Sequence, residues 1–183
     1  MKILGVFCKS AELKRRITER RERLYRVAFS WTHDAALADD LTQETLIKAL
    51  RNSKQLRDAR ALDRWLFGIL TNCWRDHFRR LRPTEDLDNM VLIDNVTPED
   101  NHAQQHIVKH VRAAVSQLPE AQRQVVTLVD LEGFSYAEVA EILEIPIGTV
   151  MSRLCRARKR LATDLLEIKP QANTVSPQLR RVK

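Results

Sequence analysis

Between Ser135 and Leu161 two apolar stripes of helical spacing follow one another around a break. Tyr136, Val139, Ala140 and Leu143 form the first, with Ser135 placed to cap its helix, and Val150, Leu154, Ala157 and Leu161 form the second. Pro146, Ile147 and Gly148 lie between them, where a tight turn is expected. The pattern predicts a helix-turn-helix. On its second helix Met151, Ser152, Arg153, Arg156 and Lys159 then point away from the stripe, and no acidic residue occurs from Val150 to Thr163. A basic helix of that size fits the DNA major groove, where arginine reaches guanine edges or phosphates.

The whole chain leans the same way. Its 31 Lys and Arg against 24 Asp and Glu leave a net charge of +7, which suits a polyanion. Charge alone does not separate nucleic acid from membrane, but no apolar stretch reaches membrane-spanning length, and the run from Met1 to Cys8 is too short for a signal peptide. A cytoplasmic protein without direct membrane insertion is expected. Cys8, Cys73 and Cys155 are far apart and never paired as C-x-x-C, so neither a disulfide framework nor a zinc finger is implied. With 4 Gly, 6 Pro and few alternating β-branched runs, the expected fold class is all-α. Nucleotide-binding and G-x-S-x-G motifs do not occur, so the reading includes no enzyme activity and no cofactor.

Along the chain, residues 1–23 are dense in Lys, Arg and Glu and read as a charged segment that starts before the packed core. Leu24, Val27, Ala28 and Trp31 make one helical stripe, and after Thr32-His-Asp34 a second runs through Ala38, Leu41, Thr45, Leu46, Ala49 and Leu50. The opposite face of this helix carries Asp39, Asp40, Gln43, Glu44 and Lys48, an acidic and polar strip in a basic protein. Residues 52–61 read as a polar loop. A long helix follows from Leu62, with Trp65, Leu66, Ile69, Leu70 and Cys73 inward and Arg75, Arg79, Arg80 and Arg82 toward its end, before Pro83. Those arginines, near Trp74 and Phe78, can hold phosphates of unstacked bases; equally, they can complement the helix C-terminus. Residues 83–104 turn acidic, with Glu85, Asp86, Asp88 and Asp94, and read as a linker. Ile107, Val108, Val111, Val115 and Leu118 open a second helical domain over 105–168, in which Pro119-Glu120 begins a helix that Gly133 ends. Residues 169–183 read as a disordered tail.

Three segments in this order resemble the extracytoplasmic-function class of bacterial sigma factors, in the sigma-70 family. Ala38-Asp-Asp-Leu-Thr-Gln-Glu-Thr45 resembles the polymerase-binding helix, and Arg64-Trp-Leu-Phe-Gly-Ile-Leu-Thr-Asn72 with Asp76 and Arg79-Arg80 resembles the promoter-melting helix. Leu118-Pro-Glu-Ala-Gln-Arg123 with Pro146-Ile-Gly-Thr-Val-Met-Ser-Arg-Leu154 resembles the C-terminal DNA-binding domain. The resemblance implies a region 2 domain over 24–82 and a region 4 domain over 105–168. It implies an alternative sigma factor that recognises −35 and −10 elements, melts the −10 region and starts transcription of a stress or envelope regulon. The implied partners are core RNA polymerase, promoter DNA and a cognate anti-sigma factor. Asp39, Asp40, Gln43, Glu44 and Lys48 would meet the polymerase; Arg57, Arg60, Asn72, Arg75, Arg79 and Arg80 would hold the −10 strand; Thr149, Met151, Ser152, Arg153, Arg156 and Lys159 would face the −35 element. Leu46 and Leu50 depart from the aromatic residues frequent in the family.

Other functions compete. A protein that only imitates a sigma factor to bind an anti-sigma factor need not keep the arginines at 153, 156, 158 and 160. A helix-turn-helix repressor would bind DNA alone, whereas a sigma factor needs core polymerase. His102, His106 and His110 recur at i, i+4, i+8 and could chelate a divalent ion, but no acidic or cysteine ligand completes the set.

Overall fold

In the computed structural model, residues 11–56, 58–81 and 110–166 are described, and every regular element among them is helical. The acidic linker, the tail, Cys8, Arg57, His102 and His106 lie outside these residues. The order is α1 (11–18), α2 (Arg21–Thr32), α3 (Ala35–Arg51), 3₁₀ turns at Ser53–Gln55 and Ala59–Ala61, α4 (Leu62–Leu81), α5 (110–116), α6 (Glu120–Val126) running into a π-helical turn (Thr127–Leu131), α7 (Tyr136–Leu143) and α8 (Ile147–Leu166).

The break between α2 and α3 has a local cause. His33 takes the left-handed conformation at φ 52, and its N–H closes α2 on Phe29 O at 2.8 Å. Asp34 then caps α3, its Oδ1 accepting from the N–H groups of Ala36 (2.8 Å) and Leu37 (3.1 Å). The stripes Leu24, Val27, Ala28, Trp31 and Ala38, Leu41, Thr45, Ala49 are buried against each other, while Leu46 and Leu50 pack only partly. Thr42 and Thr45 can sit in this core because their hydroxyls donate back to Ala38 O and Leu41 O, each at 2.7 Å. The core begins earlier than the charge pattern suggested. Ile17, inside the charged opening segment, is fully buried, and Arg20 of the same segment pairs with Asp63 at 3.0 Å.

The second half is assembled by caps. Ser135 and Glu138 form a reciprocal capping box at α7, with Ser135 N donating to the Glu138 carboxylate at 2.9 Å. The Ser135 hydroxyl and N–H hold the Glu138 carboxyl below its usual range. The helix-turn-helix turn is displaced from its expected place. Glu144 carries the left-handed residue at φ 51, and Pro146 O already accepts from Thr149 N (2.8 Å) and Val150 N (3.2 Å). Ile147 and Gly148 therefore belong to the first turn of α8, where a preceding proline suits helix initiation. Val111 is exposed, so α5 packs through Ala114 and the chain enters the core at Leu118.

The two halves share one core. Phe67 of α4 meets Phe134 edge-to-face at 5.2 Å between centroids, and the Ser30 and Thr127 hydroxyls lie 3.2 Å apart. Arg23 of α2 pairs with Asp63 at 2.6 Å, pairs with Glu132 across the divide, and stands over both phenylalanine rings.

Candidate polymerase and DNA interfaces

On α3 the buried stripe leaves Asp40 and Gln43 fully on the surface, with Asp39 and Glu44 at its flanks. Asp39 is anchored, accepting from Arg21 at 2.5 Å and from Gln43 Nε2 at 2.6 Å. Glu44 pairs with Lys48 at 2.9 Å, and this bond outweighs desolvation to keep the Lys48 ammonium more basic than usual. Lys48 also reaches Asp76 of α4 at 3.7 Å, so it ties α3 to α4 as well as edging the strip. Ile47, which sequence reasoning passed over, is 49% exposed and lies one turn beyond Gln43.

On α4, Arg64, Gly68, Asn72, Arg75 and Arg79 recur at spacings of four, four, three and four and so share one face. A Cβ at Gly68 would meet nothing within 4 Å, so the middle of this face is open. Asn72 is exposed, and its Oδ1 accepts from Arg75 at 3.4 Å. Arg79 pairs with Asp76 at 2.8 Å, and Arg80 and Arg60 are exposed. Asp58 accepts from Arg60 N at 2.9 Å and shapes the loop before the helix. Arg64, quoted in the sequence as the start of the promoter-melting motif but not counted among the −10 residues, lies eleven residues before Arg75, three turns of helix.

Of the two readings the sequence left open for these arginines, the one with Trp74 as an aromatic platform for bases does not fit the burial of its ring. Trp74 is 2% exposed, packs against Trp31 at 6.1 Å and Phe78 at 4.1 Å, and donates from Nε1 to Glu120 at 2.7 Å. An indole that reaches a carboxylate in the other half gains more by burial than by waiting for a base. Arg75 is likewise occupied. It donates to Leu143 O and lies 3.3 Å from Glu144, while Arg64 pairs with Glu141 at 2.9 Å.

On α8, Val150, Leu154 and Ala157 are buried, which turns Met151, Ser152, Arg156 and Lys159 outward and leaves Thr149 and Arg153 half-buried. Ser152 Oγ donates to Thr149 O at 3.1 Å, and Arg156 donates to Ser152 O (3.1 Å) and Oγ (3.2 Å), which preorders the guanidinium along the outer face. Arg158 is spent within the domain, pairing with Asp130 at 2.5 Å. Cys155 is exposed beside Met151, and Cys73 is buried, where desolvation pushes its thiol up. Among the described residues no group of three or more His, Cys, Asp or Glu is placed to hold a metal ion.

Comparison with known proteins agrees with this geometry. The family profile described as Sigma-70 region 2 matches residues 17–84, and that described as Sigma-70, region 4 matches residues 110–161. The chain is 38% identical over 136 residues to the ECF RNA polymerase sigma factor EcfG of Rhodopseudomonas palustris, an alignment spanning 74% of this chain and 75% of that one. It is 35% identical over 143 residues to the RNA polymerase sigma-H factor of Pseudomonas aeruginosa, spanning 72% and 74%. Among solved structures, the sigma factor RpoE of Bartonella quintana, crystallised with the anti-sigma factor NepR, superposes with a TM-score of 0.67 at 28% identity, over 86% of this chain and 99% of that one. A helical pair with a polar strip, an arginine-faced α4 and a basic helix-turn-helix thus stand in the order of sigma regions 2 and 4, and the chain belongs to the extracytoplasmic-function sigma factors of the sigma-70 family.

Proposed function

We infer that this alternative sigma factor divides transcription initiation among three surfaces. Asp39, Asp40, Gln43, Glu44 and Lys48 of α3 engage core RNA polymerase. Arg60, Asn72, Arg75, Arg79 and Arg80, together with Arg57, hold the separated −10 strand, Asn72 acting on a flipped base and the arginines on phosphates. Thr149, Met151, Ser152, Arg153, Arg156 and Lys159 of α8 meet the −35 element in the major groove. The observation that carries this reading is the α8 geometry, in which the buried Val150, Leu154 and Ala157 stripe turns Arg156 and Ser152 to the surface as a hydrogen-bonded pair.

A cognate anti-sigma factor is a further partner, a reading supported by the likeness to RpoE in its complex with NepR. The promoters served belong to a stress or envelope regulon. The protein works in the cytoplasm, where polymerase and DNA are; among the described residues no helix is long and apolar enough to cross a membrane.

Run-off transcription and footprinting on promoter DNA, with and without core polymerase, test the reading. Strong footprints and defined start sites are expected only with core polymerase. Equal footprints from the protein alone would favour a repressor, and polymerase binding without any promoter contact would favour a sigma mimic.

A further inference from the structure

The start of α8 carries apolar surface that packing within the protein does not use. Ile147, in the first turn, is 49% exposed, and Met151, one turn on, is 53% exposed. Cys155 follows at the same spacing and is exposed too, so the three make one ridge along the helix. This ridge is separate from the buried stripe of Val150, Leu154 and Ala157, and it runs beside the exposed polar ridge of Ser152, Arg156 and Lys159. A Cβ at Gly148 would meet nothing within 4 Å, so the first turn is open beside Ile147. Met151 also lines a mainly apolar hollow with Tyr136, from the start of α7, and with Leu154, Cys155 and Arg158. A methyl-sized group entering that hollow would leave water.

Charge decides what covers the ridge. From Val150 to Thr163 there is no acidic residue, while Arg153, Arg156, Lys159 and Arg160 flank the apolar side chains. A surface so basic suits a polyanion better than an apolar protein face. In a recognition helix the N-terminal residues reach base edges, and Ile147 and Met151 occupy the first two turns, ahead of Arg156 and Lys159. The apolar group that a major groove offers there is the C5 methyl of thymine.

We propose that Ile147 and Met151 are specificity-determining residues that read thymine methyl groups in the −35 element, the Met151 thioether and its hollow taking one of them. A G·C pair at the same place would set the cytosine amino group against an apolar side chain without an acceptor. The proposal rests on the reading of α8 as the −35 helix and adds the base that its first two turns select.

For the test, holoenzyme assembled from core polymerase and the full chain selects duplexes from a promoter library randomised across the −35 element. The recovered duplex is then made with thymine or with deoxyuridine, which lacks only the C5 methyl, at its −35 positions. Wild-type holoenzyme should bind the thymine duplex about fourfold more tightly for each methyl contacted. Ile147→Ala with Met151→Ala should bind the two duplexes equally, with thermal unfolding near that of the wild type because both side chains are half exposed. Arg156→Ala should weaken both duplexes and keep the thymine preference. Selected elements without A·T pairs, equal wild-type affinity for the two duplexes, or a preference that survives the double alanine variant overturns the proposal. Arg156→Ala separates the two readings. Unchanged affinity for both duplexes removes α8 from the −35 element and the methyl contact with it, whereas weakened binding without a wild-type thymine preference keeps α8 there and rejects only the methyl contact.

Discussion

Arg123 of α6 donates from Nη1 to the main-chain carbonyl of Trp31 at the end of α2, at 2.8 Å, and so ties the C-terminal half to the N-terminal one. Its Nη2 also serves Ser116 O (2.9 Å) and Leu118 O (3.0 Å), and burial makes the guanidinium less basic than usual. Arg123→Ala would leave three carbonyls without this donor and is expected to cost about 2–4 kcal/mol, read by urea unfolding. Lysine should not rescue it, because one ammonium cannot reproduce the planar fork. A loss below about 1 kcal/mol would show that water replaces the guanidinium at little cost.

Asp63 is half-buried between Arg20 (3.0 Å) and Arg23 (2.6 Å). Burial raises its carboxyl pKa, but the hydrogen bonds and charges of Arg20 and Arg23 outweigh burial and hold it below its ordinary value. A carboxyl depressed by folding stabilises fully above the unfolded pKa of about 3.9 and loses that contribution as pH falls through the folded value. Asp63→Asn should therefore be less stable than the wild type at neutral pH by about 1–2 kcal/mol, and the difference should close in acid below about pH 4. A gap independent of pH would place the effect in packing instead.

Asp40 and Glu44 lie on the outer side of α3, away from the Ala38, Leu41 and Thr45 core. Reversing both to lysine is expected to abolish co-purification with core polymerase while thermal unfolding shifts by no more than about 1 kcal/mol, since the one ion pair lost, Glu44 to Lys48, is partly exposed. Unchanged polymerase binding by the folded variant would remove the strip from the interface.

Arg153 and Arg156 are expected to act before strand opening and Asn72 during it. Alanine at either arginine should cost roughly 1–3 kcal/mol of −35 discrimination if it contacts a base, or weaken all sequences alike if it contacts phosphate. Alanine at Asn72 should spare the closed complex and impair melting. Footprints on duplex and pre-melted templates check this. Rescue of the arginine variants by pre-melted DNA as complete as that of the Asn72 variant would contradict the division.

What the sequence determined by itself was local. The Ser135 cap, the apolar stripes of α2, α3 and α8, and the outward face of Arg156 follow from residue type and helical period, which act over a few residues. Motif order likewise sufficed to suggest the family. Only the tertiary structure decided which partner each face meets, because periodicity marks a face as apolar or basic without saying what covers it. Ile17 and Phe67 became core, Trp74 turned from a candidate base platform into a domain contact, and the turn before α8 moved to Glu144. In the sequence Arg75 read as a cation for phosphates or for its own helix end, and Arg64 only as the start of a motif. They are occupied because packing more than sixty residues away along the chain brings the anionic end of α7 onto α4, a long-range match that no local pattern encodes.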